Sequence, residues 1–447
     1  MEPLIIHRED HPISRKDIDP DTVRVLYKLK DAGFEAYLVG GAVRDLLLGR
    51  RPKDFDLATS ARPNDLRRLF RNSRIVGRRF RIVHVFFGSK NVEVATLRSM
   101  VEPSGSSDLY IDDDNQWGDL ESDSFRRDFT VNALYYDIRD FAVIDYTGGV
   151  KDLHDHLIRC IGDPRVRLQE DPVRMLRAVK FAARFGYTIE PETDAAMRAL
   201  PAEILKASRF RVTEEVFRIL LQPNRDVGLR LLNEYGLLRQ IYPEWLDAIG
   251  EDGFAQVLDF FAAAERAAAD DRYYPIEVLA TGLFIPLLDS VDLEVDHFHR
   301  VAARVTSEIA SLSRAMDLPR RLTAAAVDML RGQLYMLFFH HRPKRVKRYV
   351  SYPGFDLVWR VHELAFGHLE ELRDIQEIWL EAREQLRRPI GGVVDAPDKR
   401  DIFSFRGKTG GGRHSGQGGR GRPHERGDDK DGEEEWIPFV DEDEAGA

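Results

Sequence analysis

Cysteine is almost absent from this chain, which has 447 residues and contains Cys160 alone. One thiol cannot close an intramolecular disulfide or build a thiolate zinc cage, so disulfide-stapled secreted domains are excluded and a reducing compartment is indicated. The residues around Cys160, at 157–161, are mostly apolar. This setting favours a buried, inert thiol over a reactive one.

Long hydrophobic runs are missing as well. No stretch of about 18 apolar residues could span a bilayer, and the first ten residues lack the order of a secretory signal. Positive charge is not in excess, because 66 Lys and Arg against 76 Asp and Glu give a formal charge of −10. This balance argues against a uniformly basic nucleic-acid coat. We therefore expect a cytoplasmic protein without membrane association.

What is present is the composition of a globular protein of two to four domains, with 43% hydrophobic and 32% charged residues. Helical and strand periodicities alternate up to about residue 145, and helical spacing alone persists from residue 152. We predict an α+β head, a mixed sheet with packed helices, followed by an all-α region and a disordered extension. The predicted segments are an N-terminal arm (1–21), the head (22–151), a helical neck (152–245), a helical body (246–390) and a Gly/Arg-rich, then acidic, tail (391–447).

Gly40 and Gly41 stand where a predicted strand meets a predicted helix. Glycines at such a point let main-chain N–H groups approach a phosphate at the positive end of the helix. Arg44, in the first helical turn, would add a bidentate contact to the same anion. The alternative for Gly40 and Gly41 is a plain tight turn.

Two carboxylates, Asp54 and Asp56, follow in a second predicted strand. Side chains alternate along a strand, so both would lie on one face, where like charges call for a divalent cation with oxygen ligands. Glu93, on a predicted neighbouring strand, would complete a site for two Mg²⁺ ions. Such a pair clamps the attacking and leaving oxygens of a phosphoryl displacement. The alternative for Asp54 and Asp56 is a helix-cap or exposed-edge role.

These features resemble the signature of class II nucleotidyltransferases of the polymerase β superfamily, which comprise bacterial poly(A) polymerases and CCA-adding tRNA nucleotidyltransferases. The resemblance is dense from about residue 13 to residue 242 and thins beyond. It is carried by motifs in the family's order: LVGGAVRDLLLG with KDFD (38–49 and 53–56), EVATLR (93–98), RRDFTVNAL (126–134), DYTGGVKDL (145–153) and EDPVRMLRA (170–178).

The resemblance implies roles in the head. Asp54 and Asp56 would hold the catalytic Mg²⁺, which activates an RNA 3′-hydroxyl and neutralises a nucleoside triphosphate. Glu93 is implied as the third acid, with residues 112–114 of an acidic loop as rivals. Arg127 and Asp128 would contact the ribose or triphosphate, and Asn132 would contact a sugar or phosphate. The alternatives are that Asp128 ties Arg127 to the neck and that Asn132 satisfies backbone groups in a turn.

In the neck, the resemblance implies that Asp171 and Arg174 act as a protein template for the incoming base. Residues three apart on a predicted helix share a face, so one side chain could accept a base amino proton while the other donates to ring acceptors. Arg177 would continue this face and bind phosphate. The alternative is an intrahelical ion pair. Residues 210–215 resemble the segment that braces the base pocket in the family.

Two basic clusters are predicted to bind RNA. Local positive charge binds a nucleic-acid backbone by counterion release, even on an acidic protein. The alternatives are charge balance against neighbouring acids and a solvated helix face. The first cluster lies beside the predicted metal strand and the second near the end of the body: Arg78, Arg79 and Arg81, and Lys344, Arg345, Lys347 and Arg348.

Residues 75–85, IVGRRFRIVHV, and residues 11–18, HPISRKDI, resemble bacterial poly(A) polymerases more than CCA-adding enzymes. The resemblance therefore implies template-independent addition of adenylate from ATP to RNA 3′ ends, of mRNA or other transcripts, with release of pyrophosphate. Two alternatives remain open. One is CCA or A addition to tRNA, and the other is an RNA-binding protein on an inactive scaffold, against which the intact pair Asp54 and Asp56 argues.

Overall fold

The computed structural model describes residues 2–77, 81–99, 117–269, 272–289, 291 and 297–386. All of them lie in the first of two units, residues 1–402. Arg78 and Arg79, residues 112–114 of the acidic loop, and the predicted tail at 391–447 lie outside the described residues.

The head is a mixed eight-stranded sheet with helices packed on it, as predicted. Its strands are β1 (Leu4–Ile6), β2 (Ala36–Val39), β3 (Leu57–Thr59), β4 (Ser73–Val76), β5 (Ile82–Phe87), β6 (Lys90–Thr96), β7 (Leu134–Asp137) and β8 (Ala142–Asp145). They lie in the order β1-β8-β7-β2-β3-β6-β5-β4. Among the pairs within this sheet, β3 and β6 run parallel and the others antiparallel. The head helices are α1 (Pro20–Asp31), α2 (Gly41–Leu47), α3 (Pro63–Leu69), α4 (Leu120–Phe125) and α5 (Gly149–His154).

Residues 1–21, predicted as a separate arm, join the head in the structure. β1 pairs with β8 at the edge of the sheet, and Ile13 and Ile18 are buried. The buried ring of His11 donates from Nε2 to the main-chain oxygen of Phe141 at 2.8 Å, and its Nδ1 accepts from the N–H of Ile13 at 3.2 Å. These contacts fix the segment against the head.

Helices dominate from residue 164 onward, as predicted. They are α6 (Pro164–Glu170), α7 (Val173–Phe185), α8 (Pro191–Ala199), α9 (Arg209–Leu220), α10 (Arg225–Glu234), α11 (Leu237–Ile241), α12 (Pro243–Ala269), α13 (Ile276–Gly282), α14 (Phe298–Ala315), α15 (Arg320–Phe339), α16 (Pro343–Tyr349), α17 (Phe355–Phe366) and α18 (Arg373–Gln385). The all-α prediction misses one parallel pair, β9 (Leu157–Ile158) with β10 (Thr188–Ile189). Two residues are too few for strand alternation to show in a sequence.

The neck helix α7 illustrates why these segments are helical. Its apolar residues recur at helical spacing and are buried, and Gly186, with φ 69°, ends the helix in the left-handed conformation that glycine adopts without strain. A second glycine, Gly250, interrupts α12 with φ 65°. Further on, Trp245 and Trp379 are fully buried, so the body has an apolar core of its own.

Two further expectations concern reactivity and membranes. Cys160 is buried, and desolvation raises the pKa of its thiol to about 11. The thiol is therefore protonated at neutral pH, which agrees with the prediction of a buried, unreactive cysteine. Within the described ranges, each helix is too short or too polar to cross a bilayer. The cytoplasmic location stays a prediction.

Candidate active site

The two predicted metal-binding aspartates lie just before β3. The strand begins at Leu57, so the prediction that places Asp54 and Asp56 inside it is wrong in its first residues. The main-chain oxygen of Asp56 still accepts from the N–H of Val39 at 3.0 Å. β2 ends at Val39, and the chain then turns into α2.

Glu93 lies on β6, the parallel neighbour of β3, as predicted. The register that pairs Leu57 with Val94 aligns Asp56 with Glu93 one residue earlier. The Oε1 atom of Glu93 lies 3.3 Å from Nε2 of His84 on the adjacent β5. His84, to which the sequence assigned no role, therefore belongs to the same group of side chains.

Negative charge accumulates at this point. The pKa of the Asp56 carboxyl is raised to about 6, first because the surrounding protein desolvates it and then because Glu93 and Asp54 repel its charge. Arg127 and His84 act in the opposite direction. Asp54 and Asp56 are nonetheless exposed to solvent on one side, and neither has an ion-pair partner among the described residues.

The residues fit a metal that is shared with a substrate. In the part of the chain that the structure describes, no three His, Cys, Asp or Glu side chains converge as a metal-binding group. Mg²⁺ characteristically takes one or two protein carboxylates and completes its shell with water and substrate phosphates. Two exposed aspartates with mutual repulsion and oxygen-only ligands suit this mode of binding.

Gly40 and Gly41 lie between β2 and α2, as predicted. Gly40 has φ 69°, in the left-handed region, and caps the start of α2. A Cβ atom at Gly40 would lie 3.4 Å from the main-chain oxygen of Asn132 and 3.5 Å from Nη1 of Arg127. The glycine turn therefore lies directly beside the Arg127 guanidinium.

Arg127 is held by an acid that the sequence analysis missed. Asp123, which is 1% exposed, accepts from Nη2 of Arg127 at 2.9 Å and from the hydroxyl of Tyr135 at 2.7 Å. Burial alone would raise the pKa of Asp123, but Arg127, Arg126 and the Tyr135 hydroxyl lower it to about 2. The signal that could have found it is helical spacing, since an acid three and four residues before two arginines shares their face.

Arg44 lies in the first turn of α2, as predicted. It is 3% exposed, and its Nε and Nη2 atoms donate to Oδ1 of Asp45 at 2.9 and 2.8 Å. Its Nη1 atom donates to the side-chain oxygen of Asn132, and the guanidinium lies 4.6 Å from the centre of the Phe185 ring. All three nitrogens therefore bond within the protein and hold α2, and the contact of Arg44 with an anion stays a prediction.

Asp128 joins the head to the neck. Its Oδ2 atom accepts from Nε of Arg177 at 2.7 Å and from Nη2 at 2.5 Å, and its Oδ1 accepts from the side-chain amide of Asn132 at 3.1 Å. Burial favours the neutral carboxyl, but Arg177 and the hydrogen bonds lower the pKa of Asp128 to about 2. Asn132 thus links Arg44 to Asp128, and Arg177 carries the link to α7.

Asp171 lies in a turn between α6 and α7, so the prediction of a shared helix face with Arg174 is wrong. The residue before a proline avoids the helical conformation, and Asp171 is extended before Pro172. Its Oδ2 accepts from Nη2 of Arg211 at 2.8 Å, whereas its buried Oδ1 has no hydrogen-bond partner among the residues that the structure describes. Arg174 instead donates from Nη1 to the main-chain oxygen of Arg167 at 2.7 Å.

The predicted RNA-binding cluster of the body lies on the short helix α16. Val346, on the same helix, is buried, so the basic residues occupy its outer side. The guanidinium of Arg345 lies 4.2 Å from the centre of the Phe339 ring. The exposed members of the two basic clusters are Arg81, Lys344, Lys347 and Arg348.

This geometry has counterparts in known proteins. Residues 36–159 match the family described as the poly A polymerase head domain, and residues 186–249 match "Probable RNA and SrmB- binding site of polymerase A". The chain is 38% identical over 417 residues to "Poly(A) polymerase I" of Salmonella typhi, which covers 88% of this chain and 89% of that protein. It is 36% identical over 241 residues to a "CCA-adding enzyme" of Lactobacillus helveticus, which covers 51% of this chain and 59% of that protein.

The fold also has a counterpart among solved structures. A structure described as "tRNA-processing enzyme (apo form I)" superposes with a TM-score of 0.57 at 22% identity. The match covers 84% of this chain and 99% of the other. At this level of identity the similarity shows a shared fold.

Proposed function

This chain belongs to the poly(A) polymerase family of RNA nucleotidyltransferases, and from that premise we propose that it adds adenylate units from ATP to RNA 3′ ends without a template. The observation that carries the proposal is the juxtaposition of Asp54 and Asp56 with the glycine turn and Arg127 in a chain similar to a poly(A) polymerase over nearly its whole length. The natural RNA would be mRNA or another transcript.

The reaction would be an in-line displacement at the α-phosphorus of ATP. The RNA 3′-oxygen forms a bond to this phosphorus while the bond to the α–β bridging oxygen breaks. Pyrophosphate leaves with the electron pair of that bond, and the hydroxyl proton passes to solvent. Asp54 and Asp56, with Glu93 as a candidate third acid, would hold two Mg²⁺ ions, which when bound neutralise the triphosphate and activate the hydroxyl.

The nucleotide would lie between the head and the neck. Main-chain groups at Gly40 and Gly41, with Arg127, would contact its triphosphate or ribose. The buried Oδ1 of Asp171 is an acceptor without a partner, and an unpaired buried acceptor is costly until a donor such as the adenine amino group reaches it. Arg174 would donate to the ring after leaving its main-chain partner.

Other residues would position these contacts. Arg44 and Asn132 are committed to hydrogen bonds within the protein, so we assign them the task of holding α2 and Asp128 in place. Arg177 likewise holds Asp128 across the junction. Because the three residues form one continuous chain of bonds, a change in any of them would move the ribose contacts relative to the base contacts.

The RNA would meet the basic residues of the body helix α16 and those beside β5. Lys344, Lys347 and Arg348 are exposed, and exposed cations of this kind bind phosphates by releasing counterions. Arg81 would extend the contact near the catalytic acids. Arg78 and Arg79 stay predicted RNA contacts.

The alternative reading as a CCA-adding enzyme shares the same head. The extent of similarity favours adenylation, since the poly(A) polymerase relative is matched over 89% of its length and the CCA-adding relative over 59%. An inactive RNA-binding scaffold is disfavoured because both catalytic aspartates are present and open to solvent.

The test compares incorporation of ATP and CTP into an oligo(A) RNA and into a tRNA that lacks its terminal CCA, with Asp54→Ala as the inactive control. We expect long A-only extension of both RNAs that requires Mg²⁺. Addition that stops once the tRNA end is complete would establish the CCA-type activity instead. No incorporation by the unaltered protein would favour the scaffold.

A further inference from the structure

We propose that the pocket beside Asp54 and Asp56 binds the 3′-terminal nucleotides of the RNA, and that Lys16, Arg51 and Lys53 contact their phosphates. The inference rests on the proposed function, because it takes the reacting hydroxyl to be that of an RNA. It goes further by assigning the RNA end to a defined surface, which includes a segment at the start of the chain.

The pocket has a volume of about 1110 Å³. Its walls are the N-terminal segment at 16–22, the loop at 49–56 that carries the catalytic aspartates, and the edge of β5 and β6 with His84 and Glu93. Pockets for a single small ligand span about 300–1,000 Å³. This pocket is therefore at the upper end of that range, which is large enough for the end of an RNA strand directly against the carboxylates of Asp54 and Asp56.

The pocket is distinct from the nucleotide site. Of the described residues, those that line it do not include Gly40, Arg127, Asp128 or Asp171. Arg127 nevertheless lies close enough to lower the pKa of Asp56. Asp54 and Asp56 thus line the pocket, whereas Gly40 and Arg127 lie outside its lining.

The chemistry requires such a division. In a phosphoryl displacement the attacking and leaving oxygens lie roughly in line, on opposite sides of the phosphorus. If the triphosphate occupies the side of Gly40 and Arg127, the leaving pyrophosphate departs there. The 3′-hydroxyl must then arrive from the other side, which is the pocket.

The charges of the pocket favour a polyanion. Lys16, Arg51 and Lys53 are exposed on its walls, and among the described residues none of the three has an ion-pair partner. Lys90, in the same pocket, differs because it pairs with Asp19 at 3.5 Å. The pocket is also lined by Asp17, Asp19 and Asp21, of which Asp19 pairs with Lys90 and Asp21 with Arg24. Once metal ions neutralise Asp54 and Asp56, Lys16, Arg51 and Lys53 are the cations open to the phosphates of an RNA end.

The N-terminal wall is held in place before any ligand binds. Ile13 and Ile18 are buried on either side of Lys16, and Asp19 caps α1 by accepting from the N–H of Asp21 at 2.9 Å. A wall that is already ordered costs little conformational entropy on binding. Lys16 is therefore presented to the pocket from a fixed segment.

The first test is a triple variant, Lys16→Ala, Arg51→Ala and Lys53→Ala, in the full chain. We expect the KM for oligo(A) RNA to rise about tenfold. The slope of log KM against the logarithm of the salt concentration should decrease by the amount expected for the loss of about two phosphate contacts. The KM for ATP and the kcat at saturating RNA should stay within about twofold. The matched control, Arg24→Ala, Arg139→Ala and Lys151→Ala, removes three exposed head cations outside the pocket and should leave the KM for RNA unchanged.

The second test does not depend on catalysis. An oligo(A) RNA with a 3′-terminal photoreactive uridine is cross-linked to the Asp54→Ala full chain, and the attached peptides are identified by mass spectrometry. We expect attachment within residues 12–22 or 49–53. Cross-links of the Asp54→Ala chain confined to other segments, while the unaltered protein extends RNA normally, would overturn this inference and leave the proposed function intact. Absence of cross-links together with an unaltered protein that does not extend RNA would overturn the proposed function itself.

Discussion

Charged residues in this protein fall into two groups that differ in burial and pairing. The junction charges, between the head and the neck, are buried or half-buried and all have partners: Asp45, Asp128, Arg177, Lys180, Arg184 and Glu215. The pocket charges, which include the two aspartates proposed as catalytic, are exposed and lack ion-pair partners in the described part of the chain: Lys16, Arg51, Lys53, Asp54 and Asp56.

The difference separates two tasks. A buried charge that loses its partner costs several kcal/mol, so the junction charges fix the geometry between the glycine turn and the base-contacting turn. The pocket charges contribute little to the stability of the fold, and their charged groups are open to bind ligands. Asp54 and Asp56 even repel each other, which is a local instability of the kind that functional sites retain.

The largest expected effect comes from a pocket charge. Asp56→Asn removes a metal ligand and should lower kcat on the order of 10³-fold, the loss typical of a group that stabilises transition-state charge. Stability should be unchanged or higher, because the change also removes repulsion from Asp54 and Glu93. Single-nucleotide extension assays and urea unfolding measure the two effects. The control is Asp10→Asn, which changes an exposed acid of the head. If Asp56→Asn lost stability in parallel with its rate, the distinction between pocket charges and junction charges would not hold.

The next effect comes from the junction. Lys180 and Glu215 are buried with their charged atoms 2.5 Å apart. Lys180→Met removes the nearest partner of Glu215 and leaves it with Arg218 at 2.8 Å, so the free energy of unfolding should fall by about 2 kcal/mol, less than for a buried charge with no partner. The double variant, Lys180→Met with Glu215→Leu, should recover much of that loss, since removing both charges of a buried pair is often neutral. Urea unfolding distinguishes the variants, and a double variant as unstable as the single one would contradict the assignment.

The sequence predicted the placement of the candidate catalytic residues better than the contacts of the junction, for a physical reason. Gly40, Asp56 and Glu93 lie in local patterns, a strand before a helix and alternation along strands, and these patterns fix their neighbours. Arg44 lies in such a pattern too, yet its partner Asn132 is 88 residues away in the sequence. Only packing between distant segments decides that this guanidinium is buried.

The neck shows a second limit. Asp171 and Arg174 have helical spacing, but Pro172 between them forces Asp171 into an extended conformation, so the two side chains take different partners. The proline at position 172 indicates from the sequence alone that Asp171 does not continue the helix. By contrast, the contact of Asp171 with Arg211 joins segments 40 residues apart, and no local pattern reveals which of several arginines would reach it.

A smaller effect is expected from acid. The pKa values of Asp123 and Asp128 are lowered to about 2 from an ordinary value near 3.8. Their stabilisation is therefore complete above pH 4 and is lost as the pH falls from about 4 towards 2, and each carboxylate contributes roughly 2 kcal/mol. Urea midpoints at pH 7, 4 and 3 measure the decline. Asp123→Asn should already be less stable at pH 7 and should lose less on acidification. If the stability of Asp123→Asn fell with pH as steeply as that of the unaltered protein, the acid sensitivity would arise from groups other than Asp123.

The smallest effect is expected on α16, where the exposed cations resemble the pocket charges in lacking burial but lie on the body. Lys344 and Lys347 are exposed, and each would contact at most one phosphate. Lys347→Ala should therefore weaken RNA binding about twofold and lower the salt slope by roughly 0.7, without changing stability or the choice of nucleotide. Fluorescence anisotropy with oligo(A) at several salt concentrations measures this. Arg345→Ala is the informative comparison, because Arg345 packs over Phe339 and should cost stability through lost packing. Equal losses of stability in the two variants would show that Lys347 stabilises the fold, as the junction charges do.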